Sequence, residues 1–109
     1  MSLNDKLNQS MSDRNVDDYL DLLHKDFVVT FHKSSDTFSK TEWASMVTGM
    51  MENEKFIQES SRCIYENDDV LVQHAFMSYP DDTKEAVMLV AVLKDGKIIN
   101  LESGATPLD

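Results

Sequence analysis

The last third of the chain constrains the fold most. Residues 70–79, VLVQHAFMSY, run into Pro80-Asp81-Asp82-Thr83. The almost wholly apolar EAVMLVAVL of 85–93 follows, then Asp95-Gly96, then IINLESG. β-Branched and aromatic runs cut by turn residues read as strands, so this stretch predicts a three-stranded antiparallel meander. Asp-Gly between apolar runs signals a two-residue hairpin. It sets Leu93 opposite Ile98, Val90 opposite Leu101 and Leu89 opposite Glu102. Taking residues 80–83 as a four-residue loop sets His74 opposite Leu89 and Gln73 opposite Val90.

Alternation along each strand then sorts the side chains onto two faces. One carries Leu71, Gln73, Ala75, Met77, Tyr79, Met88, Val90, Val92, Ile99, Leu101 and Ser103. It is the more apolar at its centre and is expected to pack under helices. The other carries Val70, Val72, His74, Phe76, Val87, Leu89, Ala91, Leu93, Ile98, Asn100 and Glu102. Its central strand is too apolar for water, since monomers seldom expose so large a patch. No helix remains to cover it. A homodimer is expected through Val72, His74, Phe76, Val87, Leu89, Ala91, Ile98 and Asn100, with symmetric contacts.

Upstream, Leu3, Leu7 and Met11 stand four apart, one stripe of a short helix. Asn15 is placed to cap a second helix, with Val16, Tyr19, Leu20 and Leu23 on its buried face and His24 and Lys25 at its end. Phe27–His32 reads as a strand and Ser34-Ser35-Asp36 as a turn. Ser39 and Glu42 can form a capping box for a third helix, which continues through Trp43, Met46, Val47, Met50 and Met51. Residues 56–66 form another strand, whose facing stays open because the Asn67–Asp69 turn can be read with two residues or three. Helices come first and strands run together afterwards, which is the order of an α+β fold with helices on one side of an antiparallel sheet. At 109 residues the chain reads as one domain.

The formal net charge of −10 disfavours nucleic acid, anionic membrane surfaces and strongly anionic substrates. The single cysteine, Cys63, excludes an intrachain disulfide and a zinc cluster. Asn4, Asp5, Asp13, Asp17 and Asp18 stand where a signal peptide would be apolar, so a cytoplasmic location is expected. No cofactor is implied. On the second face His74, Leu89 and Glu102 fall in one row, with the outer Cβ atoms roughly 10 Å apart. A His–carboxylate pair there can transfer protons. The alternative is a polar contact inside the dimer interface. A metal site needs a third ligand, which Asn100 supplies poorly.

The chain resembles the nuclear transport factor 2-like superfamily, the α+β cone shared by polyketide-cyclase-like proteins and ketosteroid isomerases. The likeness rests on element order, on Leu22–Val29, on the Ser39–Trp43 helix start and on Asp95-Gly96-Lys97-Ile98. It implies a curved antiparallel sheet with three helices packed on the concave face. It also implies a pocket opening at one end and a convex face that commonly dimerises. Carried over, the pocket is lined by Tyr19, Phe27, Val29, Phe31, Trp43, Leu71, Gln73, Met77, Met88, Val90, Leu101 and Ser103. The two carboxylate positions of the isomerases fall here on Phe31 and Met88, which disfavours isomerase chemistry of that kind. No inward carboxylate is assignable, and Arg62 has no fixed facing. His32, at the mouth of the first strand, is the nearest match to an inward catalytic histidine.

Three functions follow as expectations. The first is a site for a small hydrophobic or aromatic molecule between helices and sheet. The second is a proton-transfer enzyme using His32, or His74 with Glu102. The third is a protein–protein module whose pocket has collapsed around Phe31, Trp43 and methionines, which would leave no cavity.

Overall fold

Nine elements follow one another in a computed structural model that describes residues 2–108: α1 (Leu3–Asp13), α2 (Val16–Asp21), β1 (Leu23–Phe31), β2 (Asp36–Ser39), α3 (Lys40–Glu52), β3 (Ile57–Glu66), β4 (Val70–Ser78), β5 (Lys84–Lys94) and β6 (Lys97–Leu108). The strands form one sheet in the order β2-β1-β6-β5-β4-β3. All neighbours run antiparallel except β1 and β6, which are parallel. Three helices pack on its concave side, giving an α+β cone.

The helix starts follow the local chemistry. Ser2, Asn15 and Ser39 each accept a backbone N–H through the side chain, and Ser39 with Glu42 completes the capping box. That bonding holds the Glu42 carboxyl below its ordinary pKa, the backbone N–H of Ser39 contributing most. The second helix is shorter than expected. It stops at Asp21, and His24 and Lys25 belong to β1 rather than to a helix end. The short β2 hairpin was not anticipated.

Arg14 ends α1 in the left-handed conformation, φ 53°. Its guanidinium donates to the carbonyls of Met51, Asn53, Glu54 and Phe56 at 2.7–3.2 Å. One cation thus satisfies the end of α3 and the loop into β3. At the other end of α1, Glu66 accepts the N–H groups of Leu3 and Asn4. In β3, Gln58 and Ser61 turn inward to Asn8, while Arg62 pairs with His74 and faces out.

The meander departs from expectation by two one-residue shifts. Tyr79 N–H bonds the Thr83 carbonyl at 2.9 Å, and Asp82 sits at φ 67°. The tip is therefore a three-residue loop, Pro80-Asp81-Asp82, closed by a left-handed residue. It places His74 opposite Met88 and Gln73 opposite Leu89. The Asp95-Gly96 turn forms as expected, with positive φ at both residues. A bulge then falls at Ile99, so Val92 faces Asn100 and Leu89 faces Ser103. The two shifts cancel across the sheet. β4 and most of β6 face as expected, and β5 alone is inverted.

Corrections follow for particular residues. Val87, Leu89 and Ala91 lie beneath the helices, not on the convex face, and Ala91 is fully buried. Ile98 is buried on the same side because the bulge turns it in. Met88 and Val90 lie on the convex face, not in the pocket, and Met88 is exposed. Val72, His74, Phe76 and Asn100 keep their expected outward facing.

Candidate functional site

Four cross-sheet rows build the floor of the cone. Val29–Leu101–Ala91–Leu71 packs solid, with Phe27 beside it, and of these only Leu101 borders open space. The next rows, Phe31–Ser103–Leu89–Gln73 and Ala105–Val87–Ala75, face a void. The last, Glu85–Met77, lies at its mouth. The helices roof this space with Leu7, Met11, Tyr19, Trp43, Val47 and Met50. The cavity measures about 630 Å³, so the collapsed-pocket expectation does not describe this chain.

Of the residues expected to line it, Tyr19, Phe31, Trp43, Gln73, Met77, Leu101 and Ser103 do so. Phe27, Val29 and Leu71 are core beneath it. Sequence reasoning missed Val87 and Leu89, which the inverted strand brings in, and Phe56, which stacks 5.9 Å from Tyr79.

The polar groups of the cavity are few. Trp43 Nε1 donates to the Tyr19 hydroxyl at 3.0 Å, both buried. Burial pushes the Tyr19 phenol above its ordinary pKa, so it stays protonated with its own O–H free to donate. Phe31 tilts against Trp43 at 5.4 Å and meets Phe38 edge-on at 6.0 Å, fixing the indole. Gln73 is buried and donates to Asn4 and Asn8 of α1.

At the mouth stands an inward carboxylate that the sequence did not disclose. Glu85 Oε2 accepts from Lys33 Nζ at 2.8 Å, and the two side chains are 15% and 58% exposed. Burial raises the Tyr79 phenol, and its bond to Glu85 and that carboxylate's charge raise it further. Glu85 was hidden because a charged residue at a strand start normally points to water.

The proposed acid–base residues assemble elsewhere. His32 Nε2 lies 2.9 Å from Glu102 Oε1, both side chains more than half exposed. Glu102 faces outward beside Val90, and His32 lies over Gly104. His74 stacks edge-on with Phe76 at 5.1 Å and has Met88, not Leu89, as its neighbour. The sheet therefore separates His32, His74 and Glu102 from the cavity. His24, buried in β1, accepts the Asp26 N–H through Nδ1. Among the described residues no group of three or more His, Cys, Asp or Glu could hold a metal ion, and no helix is long and apolar enough to cross a membrane.

No family model and no curated protein matches the chain. Solved structures do. An NTF2-like protein of unknown function from Burkholderia xenovorans LB400 is 12% identical, over 97% of this chain and 84% of that one, with a TM-score of 0.76. The chain has the NTF2-like fold. A second NTF2-like protein of unknown function, from Cytophaga hutchinsonii, is 11% identical over 93% of this chain and 84% of its own, with a TM-score of 0.72. A steroid delta-isomerase from Pseudomonas aeruginosa is 14% identical over 93% and 74%, with a TM-score of 0.71. At such identities the NTF2-like cone carries architecture and leaves activity to the site.

Proposed function

We propose that this chain binds a small, largely apolar molecule inside the cone, with a polar group of the ligand at the mouth. The observation that carries this reading is a cavity of about 630 Å³ walled by aromatic and aliphatic side chains, with Tyr19, Gln73, Ser103 and Glu85 as sparse polar points. That is the usual make-up of a small-molecule site. Proton transfer by His32, His74 or Glu102 fits this geometry poorly, because all three face away from the cavity. A thermal-shift screen of neutral aromatic and alicyclic compounds tests the reading. Saturable rises in melting temperature are expected, and a flat response across the panel would remove it.

We also propose that two copies pair through the convex face. Phe76, Met88 and Val92 are 43%, 41% and 39% exposed there, beside Val72, Val90 and His74. These residues replace Val87, Leu89, Ala91 and Ile98 in the interface first expected. A second copy offers the same patch, so the contact would be two-fold and self-complementary.

A further inference from the structure

The mouth of the cavity distinguishes one charge from the other. Lys33 and Glu85 are the charged residues among those lining it. They form an ion pair at 2.8 Å, yet they are unequally committed to it. Glu85 sits on β5, between Met77 and Pro107 on the neighbouring strands, and its side chain is only 15% exposed. Lys33 extends from the β1–β2 turn on a flexible stem and is 58% exposed. The lysine can return its ammonium to water at small cost. The glutamate cannot follow, and a largely buried carboxylate left without a cation is costly even with the Tyr79 hydroxyl bonded to it.

Building on the reading that the cone takes an apolar molecule, we infer that its preferred occupant is a hydrophobic amine whose ammonium takes the place of Lys33 on Glu85. The exchange keeps the carboxylate paired and releases the more mobile partner. An anionic ligand does the reverse, drawing Lys33 away and setting a second negative charge beside Glu85. A neutral alcohol leaves the pair intact and gains one hydrogen bond without the Coulombic attraction that an ammonium adds.

Two other features favour a cation. Tyr79 bonds Glu85 and has Phe56 at 5.9 Å, so an ammonium on that carboxylate lies next to aromatic rings, whose faces attract cations. The net charge of −10 concentrates cations around the molecule and repels anions.

The test is calorimetric titration at neutral pH with three probes sharing one ring system: 2-naphthylmethylamine, 2-naphthalenemethanol and 2-naphthoic acid. The wild type should bind the amine about tenfold tighter than the alcohol, and the acid weakest. Glu85→Gln should abolish the amine's advantage, weakening the amine at least about tenfold more than the alcohol, which separates this carboxylate from general attraction by the acidic surface. Lys33→Met should leave amine binding as tight or tighter, and it decides the matter should Glu85→Gln fail to fold. Alcohol binding with no preference for the amine, amine binding untouched by Glu85→Gln, or amine binding weakened by Lys33→Met would each overturn the inference while sparing the cavity reading. Failure of all three probes would remove both.

Discussion

Trp43 Nε1 and the Tyr19 hydroxyl meet at 3.0 Å in the roof of the cone, tying α3 to α2 where both border the cavity. Tyr19→Phe leaves a buried indole N–H without an acceptor. An unsatisfied buried donor costs about 1–3 kcal/mol, which urea unfolding should register. The paired variant Tyr19→Phe/Trp43→Phe should cost less than the sum of the single changes, because the bond is then absent from both sides.

Arg14 is the most heavily bonded surface side chain of the helical layer, serving four carbonyls. Arg14→Ala should destabilise by about 1.5–3 kcal/mol, the range for hydrogen bonds to a charged group. Arg14→Lys should recover only part of that loss, since an ammonium lacks the planar fork that reaches carbonyls at both Met51 and Phe56. Denaturant midpoints for the two variants check the order.

The raised phenol of Tyr79 makes stability depend on alkaline pH. The unfolded chain releases this proton near pH 10, while the folded chain holds it to higher pH. The stabilisation is whole below pH 10 and is lost as pH rises through the folded value. Tyr79→Phe should flatten the alkaline limb of the melting-temperature profile. A profile unchanged between wild type and variant would show that burial and Glu85 do not hold the proton.

The convex patch predicts a concentration-dependent dimer. Met88→Lys places a charge at its centre without touching the cavity, because Met88 faces outward. Sedimentation velocity should give a dimer for the wild type and a monomer for Met88→Lys, with ligand binding retained. Leu89→Lys, by contrast, should damage folding, since that side chain lies beneath the helices.

Much of this architecture was legible in local chemistry. Ser39 and Glu42 announced α3, Asn15 announced α2, and Asp95-Gly96 fixed its hairpin. β4 and most of β6 face as expected because the loop shift and the bulge shift cancel across the sheet. β5 could not be sorted into faces, because EAVMLVAVL is apolar on both sides and one residue of loop length decides which side turns in. That residue was Thr83, which pairs with Tyr79 once left-handed Asp82 closes the loop. The bulge at Ile99 left no mark in an Ile-Ile pair whose members look alike. The Lys33–Glu85 pair spans 52 positions and depends on the same register, so the polar mouth was out of reach until β5 was oriented.

The most direct measurement of the cavity's role is a calorimetric titration of 2-naphthalenemethanol into wild type and Leu89→Trp, the second carrying an indole where the ring should lie. Saturable one-to-one binding with a negative heat-capacity change is expected for the wild type, with affinity reduced at least about tenfold in the variant. Equal binding by both proteins would place the ligand elsewhere and contradict a site inside the cone.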